Sequence, residues 1–195
     1  MTASLKASVN PRTTTFVGGK TGSMRVVMHA TLSGQPIANV DAVDMITGSA
    51  PNLSDGAIWE FHGVTSNDRY TTRSEKIELT TKQAAIGRSG ATAAALILLR
   101  KRPEWWALTQ DERRSILEDD SHHIAIGMRY LPAIARRLLH CRDLDREAPF
   151  DFIGFLDYSP EDRPAFDELL GQLRATKEWS FMDRETDIRL ERGYR

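Results

Sequence analysis

The chain has 195 residues, 41% hydrophobic and 27% charged, a balance that permits a substantial core in one generous soluble domain or two small ones. Its 26 basic residues are offset by 27 acidic ones, so no broad cationic field exists to hold a nucleic-acid backbone or an anionic membrane surface. The single cysteine, Cys141, rules out an intrachain disulfide and a cysteine-based zinc cage, as suits a reducing compartment.

The first stretch, MTASLKASVNPRTTTF, has no apolar run of signal-peptide length, and nothing later approaches the ~18 apolar residues of a membrane span. Residues 1–13 are therefore expected to be a flexible tail on a cytoplasmic protein. From Thr14 to Gly34, the β-branched runs TTFVGG and MRVVMHATL flank a glycine-rich turn at Lys20 to Ser23, which predicts a hairpin. The Gly19-Lys20-Thr21 spelling there resembles a phosphate loop. That loop requires a glycine five residues before its Gly-Lys pair, and the position holds Thr14, so the turn reading stands. Residues 35–56 mix proline, glycine and small polar side chains and predict a long irregular connection with at most one strand. AIWEFHGV reads as a strand, and Ser74 to Ile86 as a helix.

In the second half, AALILLRK at 94–101 is a continuous apolar run that predicts a buried strand. Thr109 and Glu112 form a capping box ahead of a single long helix. Its apolar positions Ile116, Ile124, Met128 and Leu131 keep helical spacing until Pro132 ends it. AIARRLLHCRDL and APFDFIGFLDYS follow as two strands joined around Asp145 to Glu147. Ser159, Pro160 and Asp162 open a helix with Phe166, Leu169, Leu170 and Leu173 on one face, and EWSFMDRETDIRLER closes as an alternating strand. The order predicts an α+β fold with a ferredoxin-like βαββαβ unit over residues 93–195, preceded by a reduced ferredoxin-like α+β half over 14–92. No internal repeat proves that the two halves are copies.

The chain has no G-x-S-x-G elbow, no H-E-x-x-H and no Cys-His pair placed for nucleophilic work. His29, His62 and His140 sit singly in strand-like runs and read as core or edge residues. The adjacent pair in SHHIAIGMRYLPAIARRLLH differs. On a helix His123 shares a face with Ile116, Gly127, Tyr130 and Leu131, whereas His122 neighbours Glu118 and Arg129, so His123 points inward. Gly127 costs the helix about 1 kcal/mol relative to alanine, which makes sense if something flat, such as a porphyrin, lies against that face. A histidine that ligates haem iron needs an acceptor for its other ring nitrogen. Arg136 falls on the following strand with Leu138 and His140, and a buried guanidinium there calls for an acidic partner or a bound anion. A surface ion pair is the equally weighted alternative. Trp105 and Trp106 read as core or interface packing.

The stretches WEFHGVTSNDRY, KRPEWWALTQDERRSILEDDSHHIAIGMRYLPAIARRLLHCRDL, PFDFIGFLDYSP and LRATKEWSFMDRETDIRLER together resemble the chlorite dismutase family, in its short, dimeric lineage, from about Trp59 to Arg192. The resemblance implies a dimeric α/β-barrel fold and a haem b enzyme that converts chlorite to chloride and dioxygen. Residue by residue, His123 matches the proximal iron ligand and Arg136 the distal arginine. Glu178 matches the carboxylate that accepts from the proximal imidazole, and Lys101 the lysine that pairs with it. Gln83 matches a glutamine that holds the arginine, and Trp106 a tryptophan packed near the haem. The implied mechanism has the iron take one oxygen atom from chlorite while Arg136 retains the hypochlorite until the O–O bond forms from a ferryl haem. The DLDREAPF hairpin is longer by a residue or two than the family pattern. Three other readings are a haem carrier or sensor without turnover, a coprohaem decarboxylase, against which Arg136 counts, and a ferredoxin-like interaction module with His123 in a solid core.

Overall fold

A computed structural model of the chain describes residues 11–48 and 56–193. The expected tail lies outside the described residues as far as position 10, as does the 49–55 part of the irregular connection. Eight strands are described: β1 (Thr13–Gly19), β2 (Met24–Ser33), β3 (Ala42–Thr47), β4 (Ala57–Thr65), β5 (Ala93–Lys101), β6 (Ala135–His140), β7 (Phe152–Tyr158) and β8 (Met182–Arg192). They close into an antiparallel barrel in the order β1-β3-β2-β8-β5-β7-β6-β4. Closure leaves no free sheet edge to be covered. Within each run of four strands the spatial order is fourth, first, third, second: β8-β5-β7-β6, then β4-β1-β3-β2. No helix among the described residues is long and apolar enough to cross a membrane.

β5 shows why this sequence builds such a barrel. Its run AAALILLRK is apolar at consecutive positions because both faces are covered. Ala94, Leu96 and Leu98 share the barrel core with Phe16, Phe155 and Ile188. The alternate residues Ala93, Ala95 and Ile97 pack under α5 (Arg163–Arg174) against Phe166, Leu169, Leu170 and Leu173, the face expected from the sequence. Pro160 opens a short 3₁₀ turn ahead of α5.

The predicted hairpin of the first two strands does not form. β1 pairs with β3 and β4, whereas β2 pairs with β8 and only briefly with β3. Alternation identifies a strand but not its partner, and here the Lys20 to Ser23 turn steps sideways over β3, so that β2 continues in the direction of β1. Gly22 permits the step: a Cβ there would lie 2.9 Å from the backbone of Val43. β3 itself is the one strand expected within residues 35–56.

The single long helix expected after Thr109 is also broken. The capping box is present, with Glu112 Oε2 accepting from the Thr109 backbone N–H at 2.7 Å. Four pieces precede β6: α2 (Pro103–Ala107), α3 (Gln110–Arg114), a π-helical turn at Ser115–Asp119 and α4 (His123–Arg129). The earlier helix α1 (Arg73–Lys82) carries its own capping box at Thr72 and Glu75. His122 adopts a left-handed backbone, φ 53° and ψ 32°, which separates α4 from the turn before it. Apolar spacing survives on both sides of the break, which hides it from a periodicity reading. The closing strand likewise begins later than expected, because Glu178–Phe181 forms a 3₁₀ turn before Met182.

Candidate functional site

The break before α4 creates the site. His122 is exposed, whereas His123, the first residue of α4, turns its ring into a cavity bounded by α4, β6 and the residues that follow β4. The cavity encloses about 120 Å³ of interior space behind an open mouth. His123, Arg136, Glu178, Lys101, Trp105 and Tyr70 all line it.

Four sequence-predicted residues thus meet in one place. His123 Nδ1 lies 3.0 Å from Oε2 of Glu178, so the imidazole donates there and keeps Nε2 for another partner. Oε1 of Glu178 accepts from the Lys101 ammonium, which also donates to the Glu178 carbonyl at 3.1 Å. Both members of this pair are almost fully buried. Burial by itself would raise the Glu178 carboxyl, but Lys101 and His123 outweigh it and hold the group at about 2. Burial lowers the Lys101 ammonium, and Glu178 opposes that shift. The carboxylate is therefore charged throughout the physiological range, as an acceptor for an imidazole N–H must be.

Arg136 sits on β6 with Leu138 beside it in the cavity wall, as strand alternation requires. Its guanidinium has no hydrogen bond or ion pair among the described residues, and its Nε is buried without an acceptor. Burial pulls the group down to about 10, which still leaves it charged at neutral pH. A buried, unpaired cation is costly unless an anion joins it. Gly127, one turn beyond His123, leaves room toward Arg136: a Cβ there would stop 3.7 Å from Nη1.

Two predicted residues take different places from those expected. Gln83 donates from Nε2 to the backbone carbonyl of Arg136 at 2.9 Å, so it fixes the strand rather than the guanidinium. Trp106 does not line the cavity. It stacks on Phe152, which does, and donates to Asp151 at 3.2 Å while the Arg142 guanidinium covers its ring at 4.3 Å. Trp105 is the one that lines the cavity, with Lys101 4.3 Å over its ring. Neighbours on a helix point about 100° apart, so only one of an adjacent pair faces a given wall. Arg113 ties down the backbone of this segment by donating to the carbonyls of Trp105, Trp106 and Leu108, with its guanidinium 5.1 Å over the Trp106 ring.

Sequence reasoning missed three residues of the site. Tyr70 has a left-handed backbone, φ 65°, and a buried hydroxyl without a partner. Ser121 and Glu118 brace the start of α4. Only the position of Ser121 beside the histidine pair gives a signal in the sequence.

This donor set fits a haem. Among the described residues no group of three His, Cys, Asp or Glu side chains converges as a bare-ion site, whereas a haem brings the four nitrogen ligands of its own macrocycle to the iron. One imidazole with Nδ1 engaged and Nε2 free supplies the remaining protein ligand. The unpartnered donors of Arg136, Tyr70 and Trp105 in the same walls suit an anionic occupant.

No family model and no curated protein matches the chain. Solved structures do. A structure of dimeric chlorite dismutases from Nitrobacter winogradskyi is 48% identical, with a TM-score of 0.83 over 92% of this chain and 99% of that one. A chlorite dismutase variant from Candidatus Nitrospira defluvii in complex with cyanide is 18% identical, with a TM-score of 0.66 over 92% of this chain and 90% of that one. The same organism's enzyme in complex with imidazole is 19% identical with a TM-score of 0.65, over 92% of this chain and 90% of that one. The Nitrospira structures speak for the fold alone.

Proposed function

The chain belongs to the chlorite dismutase family, and from that membership we propose that it decomposes chlorite to chloride and dioxygen, using a haem b held by His123. The observation that carries the site assignment is the sharing of one cavity by an imidazole tied through Nδ1 to Glu178 and a buried guanidinium with no acid beside it. The haem, when bound, supplies the oxygen-atom transfer chemistry that splits chlorite.

The protein's own part is electrostatic and positional. Lys101 keeps Glu178 ionised, Glu178 keeps the proton of His123 on Nδ1, and Nε2 is thereby presented as the basic, ligating atom. Among the described residues Arg136 is the unpaired fixed cation of the cavity wall, and it binds the chlorite anion. An oxychlorine fragment of chlorite would be an anion as well, and Arg136 would keep it within the pocket by the same charge, a proximity effect. The overall change, ClO₂⁻ to Cl⁻ and O₂, neither takes up nor releases a proton, so the site needs no proton shuttle. We read the two runs of four strands as ferredoxin-like units spanning about 14–92 and 93–195, the first reduced and carrying the single helix α1, and the assembly as a homodimer, like the Nitrobacter relative.

Haemin titration tests the cofactor assignment, with a five-coordinate ferric Soret spectrum as the expected result. The absence of any Soret band on adding haemin would defeat it. An oxygen electrode then tests the activity. Haem binding without an oxygen burst on adding chlorite would leave a haem carrier or sensor in its place.

A further inference from the structure

His123 is held at its ring by Glu178, but the geometry shows a second set of constraints, on the backbone that carries each partner. We infer that Ser121, supported by Glu118, is a positioning residue for the His123–Glu178 pair. The inference rests on the reading of His123 as the haem ligand.

Glu178 opens a four-residue 3₁₀ turn, too short to fix its own first N–H through regular helical bonds. That N–H donates to Ser121 Oγ at 2.8 Å, and Ser121 is 4% exposed, so the bond is shielded from water. Ser121 lies two residues before His123. One buried hydroxyl therefore joins the segment that carries the imidazole to the segment that carries its acceptor, 57 residues away in the chain. With Lys101 on the Glu178 carbonyl, both main-chain polar groups of Glu178 are engaged.

The other end of the clip is Glu118. α4 starts immediately after the left-handed His122, whose side chain makes no cap. The carboxylate of Glu118 caps the helix instead, accepting from Ile124 N at 2.7 Å and Ala125 N at 3.2 Å. A π-helical turn at Ser115–Asp119 carries Glu118 back over the start of α4. Such turns gather at functional sites because they re-aim side chains at a cost in regularity. Here the turn brackets His123: Ser121 fixes where its acceptor stands, and Glu118 fixes where its Cα stands. Lys177 and Asp120, 2.8 Å apart but both largely exposed, add little to the clip.

The chemical consequence is directional. Loss of the Ser121 hydroxyl leaves the Glu178 N–H buried without an acceptor and frees the 3₁₀ turn to shift, which lengthens the Nδ1 to Oε2 bond. A weaker acceptor makes the imidazole a poorer electron donor at Nε2. A haem iron bound there becomes easier to reduce and is released sooner.

The test uses haem-loaded Ser121→Ala, Ser121→Thr and Glu118→Gln beside the unaltered protein, measured by spectroelectrochemical titration and by haem transfer to an acceptor protein. Ser121→Ala should shift the ferric/ferrous potential positive and release haem on the order of tenfold faster. Ser121→Thr, which keeps the hydroxyl, should restore both values. Glu118→Gln, which replaces one carboxylate oxygen by an NH₂ group, should speed release to a smaller extent. An unchanged potential in a folded, haem-bound Ser121→Ala protein overturns the inference, as does an equal shift in the threonine variant. If the unaltered protein binds no haem through His123, it is the proposed function that fails, and the titration distinguishes that result at its first step.

Discussion

Oε2 of Glu178 stands 3.0 Å from Nδ1 of His123 while Oε1 of the same carboxylate takes the Lys101 ammonium, so one buried anion serves two cations or potential cations. Glu178→Gln puts this arrangement to the test. The amide oxygen satisfies Lys101, which turns the NH₂ group toward His123. Nδ1 must then accept, and the ring proton moves to Nε2, the atom meant for iron. Haem affinity should fall by about 10- to 100-fold, the range seen when the partner of a metal-bound histidine is lost. Haemin titration of the variant measures it, and retention at the unaltered level would remove Glu178 from the proximal role.

Arg136 makes a prediction about stability as well as activity. Its guanidinium is buried without a partner, so without the haem it is a net cost. Arg136→Met keeps much of the side-chain volume and removes the charge. The haem-free variant should melt at or above the temperature of the unaltered protein, although core substitutions usually destabilise. The haem-loaded variant should keep its Soret band and lose about 10²-fold in oxygen evolution, as when one fixed transition-state charge is removed. Undiminished oxygen evolution would contradict the role of Arg136 in holding the anion.

These residues differ in how visible they were before folding. His123 was legible because an imidazole on an apolar helical face is unusual, and Arg136 because strand alternation buries it with Leu138. The helical and strand segments were legible for the same reason: periodicity follows from which face is covered. Neither signal reaches partners distant in sequence. Lys101 meets Glu178 across 77 residues and Ser121 meets it across 57, through a barrel closure that no local pattern encodes. The family resemblance supplied the first of these pairings and not the second. The break at His122 was invisible because apolar spacing continues on both sides of it. The Trp105 and Trp106 assignment differed by one position, since nothing local determines which of two adjacent indoles faces the cavity.

Acid should act on the protein in two separate windows. His140 is buried between Phe152 and Trp106, with Nε2 unpartnered. Burial is the first cause that lowers its pKa, from 6.5 to about 4. The unfolded chain therefore binds a proton there before the folded one does, and stability falls as pH drops from 6.5 towards 4. Glu178 is depressed from 4.5 to about 2, so its contribution is complete above 4.5 and is lost as pH falls through that lower range. Urea denaturation across pH should show the first decline alone above 4.5. His140→Phe should make that first decline shallower, leaving the part due to His29, whose pKa burial also lowers from 6.5, and should leave the second in place; an unaltered slope between 6.5 and 4 would exclude His140 as a source.

Gln83 provides the finest discrimination, because its contact differs from the one the family resemblance implied. The amide donates to the Arg136 carbonyl at 2.9 Å, a bond to the strand and not to the charge. A bond of this kind contributes about 0.5–1.5 kcal/mol. Gln83→Leu keeps the packing and removes the donor, so stability should drop by roughly 1 kcal/mol, with β6 loosened around Arg136. Since the guanidinium keeps its charge and its length, the loss in kcat/KM should stay below about tenfold, far short of the loss predicted for Arg136→Met. Steady-state oxygen evolution measured on both variants decides the matter: equal losses would mean that Gln83 acts on the guanidinium itself, and a loss in the glutamine variant far smaller than that of Arg136→Met places its action on the backbone of β6.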